Sequence, residues 1–291
     1  MTKLTTPINI LVQRRASIGD VIMTTGVVRE LKKQFKDNAN IIVATDVLEV
    51  YKNNPHIAGV VPVASVDRKQ FDVVYDLDNA YELNPYTNYI EDYFYRVFGP
   101  NSTLDHSVEL FPTPEDYNAV RIDGDYIVVH LRNWHWQAKN IDMSIWFEVF
   151  AKVFEVNDAI KIICVGGKTD NFIDHPNFID ARDKYTSQQL KALCDGAKCF
   201  VGIDSGPFQC AAASKTHIIG LLTHLLPERI MPERKYEYMY NATAIQTQED
   251  CAGCNDTQPR PIHQIICKKT DFPCTRNFDA DIIAQSILKS L

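Results

Sequence analysis

Residues 8–20 read INILVQRRASIGD, a short apolar run followed by a turn that contains glycine and ends on an acid. The run INILV at 8–12 has the length and composition of a buried strand, and apolar residues at helical spacing follow the turn. Glycine permits a tight turn, and an acid at a helix start is favoured by the helix dipole. The stretch therefore predicts a strand, a turn and a helix in that order.

The same alternation of strand and helix patterns continues along the chain. Apolar strand patterns lie at 40–45, 59–63 and 71–77, and a helical stripe over 89–98 ends at Gly99-Pro100. Such alternation is typical of a parallel sheet with helices on its faces. We therefore predict an α/β fold for the first part of the chain.

A segment with prolines, acids and little apolar periodicity, residues 111–124, indicates a boundary between two domains. Beyond it, strand patterns at 126–131, 160–165, 199–203 and 217–222 restart the alternation. We expect two doubly wound, Rossmann-like domains and a final amphipathic helix. The predicted limits are 1–120 for the first domain, 121–277 for the second and 278–291 for the final helix.

The composition excludes some classes of protein. The chain has 291 residues with a formal net charge of −7, which provides no general attraction to nucleic acid or anionic lipid. No apolar run reaches the roughly 18 residues of a membrane-spanning helix. The first residues lack the apolar stretch of a signal peptide. We therefore expect a cytoplasmic protein with no transmembrane segment.

The first candidate loop lies after the first predicted strand, where ligands bind in doubly wound folds. It contains Arg15, Ser17 and Gly19, and it ends at Asp20. A carboxylate that faced a cleft here would be placed to take a proton from a hydroxyl group. Asp20 could equally stabilise the first turn of its helix and do no more, and both interpretations stay open on spacing alone.

Two further loops follow strands of the second predicted domain. Residues 204–209, Asp-Ser-Gly-Pro-Phe-Gln, combine a hydroxyl group, a glycine and a proline at a helix start, which would suit a diphosphate or an ordinary helix cap. Residues 166–170 hold Gly167 and Asp170, and that acid could accept from a ribose hydroxyl. The loop over 166–170 does not match the GxxxxGK pattern of a phosphate-binding loop.

Three separated segments resemble glycosyltransferase family 9, the lipopolysaccharide heptosyltransferases. RASIGDVIMTT at 15–25 is similar to the family's opening R-x-S-x-G-D-V-x-x-T segment. KNIDMSIWFEV at 139–149 is similar to its K-x-W-P-x-x-x-W-x-x-L stretch, and DSGPFQCAAA at 204–213 to its D-S-G-x-x-H-x-A-A-A signature. The three segments occur in the family's order, so the resemblance covers most of the chain.

The resemblance implies a GT-B fold, with two Rossmann-like domains facing a central cleft and the final helix returning to the N-terminal domain. It implies an inverting transfer of a sugar from a nucleotide-diphosphate-sugar, an ADP- or UDP-sugar, with no cofactor required for catalysis. By position, Asp20 matches the family's proposed general base, and Lys139 matches its diphosphate-contacting lysine. The expected donor-binding residues are Lys139, Asp204, Ser205, Gly206, Gln209, Gly167 and Asp170, and the expected acceptor-side residues are Arg15, Ser17 and Gly19.

The sequence departs from the family pattern at several of these places. Gln209 stands where the family usually has histidine, and Thr223 stands where a glycine is usual. The first domain, about 120 residues long, is also shorter than the family's acceptor domain. The acceptor hydroxyl therefore stays open between a glycan, such as a lipopolysaccharide core sugar, and a hydroxylated base of DNA, as in some phage-encoded glycosyltransferases.

Two other function classes remain. A nucleotide-sugar epimerase or dehydrogenase is disfavoured because no GxGxxG follows the first strand. A catalytically silent sugar-nucleotide binding module is disfavoured by the presence of both Asp20 and Lys139.

Cysteines near the end of the chain suggest a metal site. Cys251 and Cys254 have the spacing of a zinc-binding pair, and Cys267 and Cys274 complete four thiols, enough for a tetrahedral structural zinc. Reduced thiols without a metal are the alternative in a reducing compartment.

Overall fold

The computed structural model describes residues 7–82, 88–100, 103–133, 137–232, 241–257 and 266–291. These residues form two parallel sheets, each with helices packed on its faces. The two sheets were predicted from the alternating patterns, and both are present.

The first sheet has four parallel strands in the order β3-β2-β1-β4. Each strand lies at a predicted apolar run, because burial on both faces of a parallel sheet requires apolar side chains. The strands are β1 (Ile8–Gln13), β2 (Ala39–Ala44), β3 (Gly59–Val61) and β4 (Val73–Asp76).

The helix predicted after the first turn is in fact two helices, α1 (Ile18–Met23) and α2 (Thr25–Phe35), separated at Thr24. The Thr24 hydroxyl donates to the carbonyl of Val21 at 2.7 Å and contacts the Tyr51 hydroxyl. A threonine side chain that bonds back to the preceding turn competes with the helical pattern. The third helix of this half, α3 (Tyr89–Phe98), coincides with the predicted stripe and ends at Gly99.

The second sheet has six parallel strands in the order β10-β9-β8-β5-β6-β7. Four of them were predicted, whereas the short β7 and the half-exposed β10 were not. The strands are β5 (Tyr126–Val129), β6 (Lys161–Cys164), β7 (Phe178–Asp180), β8 (Cys199–Gly202), β9 (His217–Leu222) and β10 (Ala242–Gln246).

The remaining helices surround the second sheet or connect the two halves. The boundary predicted at residue 120 lies between α4 and β5, and α4 packs against α6. The helices are α4 (Pro114–Ala119), α5 (Met143–Val156), α6 (Ser187–Gly196), α7 (Gly206–Ala212), α8 (Pro227–Ile230), α9 (Cys254–Thr257) and α10 (Ala280–Leu288).

The final helix α10 packs on α5 and on strands β9 and β10 of the second sheet. Ile283 and Ile287 are fully buried in the core on that side. Lys152 of α5 also pairs with Asp281 at 2.9 Å. This placement corrects the expectation that the final helix returns to the N-terminal domain: its apolar face is covered by the second domain, and an amphipathic pattern does not say which surface covers it.

Besides their shared core, the two halves are held together at several places. Glu49, in a short 3-10 helix over 48–51, accepts from the backbone N–H of Ser187 at 2.9 Å, and Gln188 donates to the carbonyl of Val50 at 3.0 Å. On the other side, the Asn88 side chain donates to the carbonyl of Met231 at 3.0 Å. These contacts fix the position of the loops at the carboxyl ends of the two sheets.

In the part of the chain that the structure describes, none of the helices has the length and apolarity needed to cross a membrane.

Candidate active site

The carboxyl ends of β1, β5 and β8 open into one cleft between the two halves, with a volume of about 910 Å³. Because parallel strands end at the same edge of a sheet, the loops that follow them converge there. All the predicted site residues other than the cysteines line this cleft: Arg15, Ser17, Gly19, Asp20, Lys139, Gly167, Asp170, Asp204, Ser205, Gly206 and Gln209.

The first turns of α1 and α7 touch each other at this cleft. Position 206 has no room for a side chain, because the Cγ2 methyl of Ile18 fills the space into which it would project. A Cβ built on Gly19 would lie 3.5 Å from the backbone nitrogen of Gly206. The glycine at 206 therefore allows the helix that carries Asp20 to approach the Ser205-Gly206 turn directly.

The Asp20 carboxylate is held by donors on both of its oxygens. Oδ2 accepts from the backbone N–H of Ser17 at 3.2 Å and pairs with the Arg14 guanidinium at 3.1 Å. Oδ1 accepts from the Tyr81 hydroxyl at 2.9 Å and from the Tyr93 hydroxyl at 3.5 Å. Asp20 thus both stabilises the start of α1 and faces the cleft, so the two interpretations of this acid are compatible.

Arg14 and the two tyrosines form a charged aromatic group around Asp20. Burial alone would lower the pKa of Arg14, but Tyr93, Asp20 and Glu82 outweigh it and raise that pKa. Burial, and after it the negative charge of Asp20, raises the pKa of both Tyr81 and Tyr93 well above its usual value. The tyrosines therefore stay protonated and act as hydrogen-bond donors.

Arg15 lies at the rim of the cleft with its guanidinium more than half exposed, 3.4 Å from the Asp46 carboxylate. Its backbone N–H donates to Asp78 at 2.8 Å, and the side chain of Gln13 also donates to Asp78. Asp78 thus fixes the loop after β1 from the end of β4.

Lys139 and Asp204 form an ion pair of 2.6 Å on the opposite wall. Lys139 ends a short 3-10 helix over 137–139, and Asp204 follows β8. Arg132 lines the same wall; burial lowers its pKa, while Asp204 and Asp170 act in the opposite direction. Two cationic side chains therefore border this part of the cleft.

His130, at the end of β5, connects two of the predicted donor-side residues. Its Nδ1 lies 2.9 Å from the Ser205 hydroxyl, and its Nε2 lies 2.9 Å from the Asp170 carboxylate. Burial lowers the pKa of His130, so the ring is neutral. A neutral ring that donates from Nε2 to a carboxylate can accept at Nδ1, and the single proton of the Ser205 hydroxyl has two acceptors within reach, this Nδ1 and the Ile203 carbonyl at 3.0 Å.

Asp170 is committed to protein donors rather than facing the cleft freely. It accepts from His130, from the backbone N–H of Gly167 at 2.7 Å and from that of Asn133 at 3.0 Å. Gly166 sits at φ 127°, and a Cβ there would overlap both Asp170 and His130. This glycine allows the loop to close over the pair, and Asp170 thereby orders the donor-side loops.

Two buried side chains that line the cleft contain polar atoms without a hydrogen-bond partner among the described residues. Gln209 is 1% exposed, and neither its amide oxygen nor its amide nitrogen is hydrogen-bonded. His224, which follows β9, is 4% exposed, and its Nε2 is likewise unpaired. Burial and the charge of Lys139 lower the pKa of His224 to about 3.

The four cysteines near the end of the chain lie near one another. Burial, followed by the adjacent Cys251, Cys254 and Cys267, raises the pKa of the Cys274 thiol to about 12. Lys269 joins the segment that follows Cys267 to the segment that precedes Cys251, through an ion pair with Glu249 at 2.8 Å. Among the described residues, the ligand atoms that lie within 4.8 Å of one another are those of Glu249, Asp250 and Cys251, and the four thiols do not form such a group. The four cysteines are therefore neighbours, and a four-thiolate metal site would require their sulfur atoms to come closer together.

Comparison with known proteins identifies the fold. No protein-family model and no curated protein matches the sequence. Among solved structures, the chain is similar to a family 9 glycosyltransferase from Veillonella parvula, with a TM-score of 0.72, 14% identity and coverage of 99% of both chains. It is similar to the ADP-heptose lipopolysaccharide heptosyltransferase II of E. coli, with a TM-score of 0.71, 13% identity and coverage of 97% of this chain and 98% of that one.

A third similar structure is the iron-containing dodecameric glycosyltransferase TibC from enterotoxigenic E. coli, with a TM-score of 0.72, 16% identity and coverage of 99% of this chain and 77% of that one. At these identities the similarity shows the fold. The predicted GT-B arrangement, similar to the family 9 heptosyltransferases, is confirmed.

Several residues of the cleft were not predicted from the sequence. His130 lies near the end of the predicted strand 126–131, and His224 lies two residues after the predicted strand 217–222; a polar residue in such a position was a usable signal. Arg14 and Arg132 also lie close to the ends of predicted strands and could have been identified in the same way. Tyr81 could not, because only the fold brings it next to Asp20.

Proposed function

We propose that the protein is an inverting glycosyltransferase that transfers a sugar from a nucleotide-diphosphate-sugar to an acceptor hydroxyl. The observation that carries the proposal is the contact of α1 with α7, which places the Asp20 carboxylate in the same cleft as Lys139 and the Ser205-Gly206 turn. A single displacement at a sugar carbon needs a base on one side of the gap and phosphate-binding groups on the other.

On the donor side, Lys139 and Arg132 would bind the diphosphate. Negative charge gathers on the departing phosphate in the transition state, and cations placed in advance stabilise it. The diphosphate would take the place of Asp204 as a partner of Lys139. The Ser205 hydroxyl, oriented by His130, would help to hold the donor-binding turn in shape.

On the acceptor side, the substrate hydroxyl would bind at Asp20. Its oxygen would form a bond to the anomeric carbon while the bond from that carbon to the leaving phosphate oxygen breaks. The hydroxyl proton would pass to Asp20, and the nucleoside diphosphate would leave with the electron pair of the broken bond.

An ADP-sugar is the donor that the comparisons favour, since the similar E. coli enzyme is named for ADP-heptose. A UDP-sugar is the second candidate. For the acceptor we favour a glycan hydroxyl, because a net charge of −7 opposes binding of a polynucleotide. A hydroxylated DNA base is the alternative acceptor.

The cysteine cluster would hold a structural metal apart from the reaction. Four thiolates suit zinc, which was the expectation from the sequence, and they also suit iron. A similar structure, TibC, is described as iron-containing. The eight cysteines of the chain form no disulfide with one another, which fits a reducing compartment, and we propose a cytoplasmic location.

The test is turnover of candidate donors by the purified protein. ADP-heptose and UDP-glucose are incubated with lipopolysaccharide core acceptors and with hydroxymethylated DNA, and both the glycosylated product and the released nucleoside diphosphate are measured. Product formation that Asp20→Ala abolishes supports the proposal, and full transfer by Asp20→Ala removes its central residue. Tight donor binding without transfer to any acceptor would instead indicate a binding module.

A further inference from the structure

Gln209 and His224, which line the cleft, contain polar atoms that are not hydrogen-bonded to any described residue: both amide atoms of Gln209 and the Nε2 of His224. Burial of a polar group without a hydrogen bond costs stability, so such groups are rare in native proteins unless a ligand satisfies them. Both are at least nine-tenths buried and both line the cleft.

Gln209 lies on the side of the cleft that holds Asp20. A Cβ built on Gly19 would be 3.4 Å from the Gln209 Cγ. Gln209 also belongs to α7, which begins with the Ser205-Gly206 turn. Its amide offers two N–H donors and one carbonyl acceptor, and none of these is hydrogen-bonded to a described residue.

His224 lies on the side that holds the ion pair of Lys139 and Asp204, since the charges of both act on its ring. The Thr223 hydroxyl donates to the carbonyl of Ala138, so its proton is committed. The Nδ1 of His224, 3.1 Å from that hydroxyl oxygen, must therefore donate to it. Nε2 is left with a lone pair that points to no protein donor.

The state of His224 limits what can bind to it. A diphosphate oxygen carries no proton at neutral pH. Its lone pairs would therefore be directed at the lone pair on the Nε2 of His224, which is repulsive. Burial and the neighbouring Lys139 disfavour the protonated ring that a phosphate would need. A hydroxyl group can donate to Nε2, and a second hydroxyl can both donate to and accept from the Gln209 amide.

We propose, on the basis of the glycosyl-transfer function above, that Gln209 and His224 bind the hydroxyl groups of the transferred sugar and thereby determine which sugar is used. One lies beside the base and the other beside the diphosphate-binding lysine. The sugar must span those two places, because its anomeric carbon is bonded to the phosphate and attacked by the acceptor.

The experiment compares binding of the complete donor with binding of its nucleotide alone. Isothermal titration calorimetry measures the Kd of ADP-heptose and ADP, and of UDP-glucose and UDP, for the wild type, Gln209→Leu and His224→Leu. Gln285→Leu and His175→Leu, which change exposed residues outside the cleft, are the matched controls. Each cleft variant should weaken binding of the sugar-nucleotide about tenfold and leave the Kd of the nucleoside diphosphate within about twofold.

Equal weakening of sugar-nucleotide and nucleoside diphosphate would overturn the inference, because it would place the two side chains on the ribose or the diphosphate. Unchanged affinity for both ligands would overturn it as well. If the wild type bound none of the four ligands, the proposed glycosyl transfer would itself be contradicted. That result differs from one in which the wild type binds and the variants bind equally well.

Stability gives an independent readout. Because neither amide atom of Gln209 is hydrogen-bonded to a described residue, Gln209→Leu should melt at a Tm no lower than the wild type. A lower Tm would indicate that this side chain supports the fold instead. If a leucine variant does not fold, Gln209→Met or His224→Phe takes its place in the titrations.

Discussion

Ile18 and Gly206 interlock across the two domains: the Cγ2 methyl of Ile18 occupies the space where any side chain at position 206 would lie. This contact sets the distance between the start of α1 and the start of α7. The distance between the proposed base and the donor-binding turn therefore depends on the absence of a side chain at Gly206.

Substituting Gly206→Ala should force α1 and α7 apart. Overfilling a packed contact costs about 1–3 kcal/mol, so the free energy of unfolding should fall by that amount. Chemical denaturation measures it. Gly167→Ala is the matched control, because a Cβ at that position would make only an ordinary contact, 3.7 Å from Asp170. Equal stability of both variants would contradict the proposed interlock.

Asp20→Asn keeps the shape of the side chain and removes the base. Loss of a general base typically reduces kcat by about 10²–10⁴-fold, and the Kd of the donor should stay near that of the wild type. Steady-state kinetics and calorimetry separate the two effects. Asp67→Asn changes an exposed acid of the same domain and should leave kcat unaltered. A kcat of Asp20→Asn equal to that of the wild type would exclude Asp20 as the base.

His130 and Ser205 should be energetically coupled. His130→Ala leaves the buried Asp170 without one donor and should lower the free energy of unfolding by about 1–3 kcal/mol. Ser205→Ala removes a helix cap as well and should cost about 1 kcal/mol. Because the two side chains share a hydrogen bond of 2.9 Å, the double variant should cost less than the sum. Denaturation of the four proteins measures the coupling, and strict additivity would refute it.

The protein should lose stability in mild acid because two buried histidines are neutral. The pKa of His224 is lowered to about 3 and that of His130 is lowered by burial, so the unfolded chain binds more protons below pH 6.5. Stability present above pH 6.5 is lost as the pH falls, by up to about 1.4 kcal/mol per pH unit for each histidine. Denaturation curves between pH 7 and pH 5 measure this slope, because carboxylates titrate mainly below that range. His224→Leu should reduce it; an unchanged slope would exclude His224 as a source.

The cysteine cluster should bind about one metal ion per chain. Elemental analysis of protein purified without added metal should detect zinc or iron, and a strong chelator should lower the Tm. Cys251→Ser combined with Cys254→Ser should abolish the metal content. Cys164→Ala, outside the cluster, should leave it unchanged. Metal-free wild-type protein with the same Tm in the presence of a chelator would identify the cysteines as plain thiols.

The sequence was sufficient for the features that depend on local pattern. The strand at 8–13 and the loop that ends at Asp20 were predictable because burial on both faces of a parallel sheet demands an apolar run, and chemistry follows at its carboxyl end. For the same reason, Asp20 and Ser205, which lie on two separate loops, were expected to face one cleft, and the resemblance to family 9 added Lys139. Their roles in catalysis stay predictions.

Other features depend on contacts between distant residues and leave no local trace. The break between α1 and α2 arises at Thr24, whose hydroxyl donates to the carbonyl of Val21 in the preceding turn. A threonine inside an apolar stripe does not by itself predict such a break. Tyr81 reaches Asp20 only because β4 lies next to β1. The partner of α10 was misjudged because its apolar face fits either domain.

The core on one face of the second sheet continues without interruption into the core of the first: Val12 and Val28 belong to the same cluster as Val128 and Phe200. We therefore expect the two halves to unfold together rather than independently. A chain cut within 111–124 would expose apolar side chains of this shared core to water in both fragments, and we expect the fragments to regain a native state only by reassociating. The cleft and this expected cooperativity thus originate at the same junction.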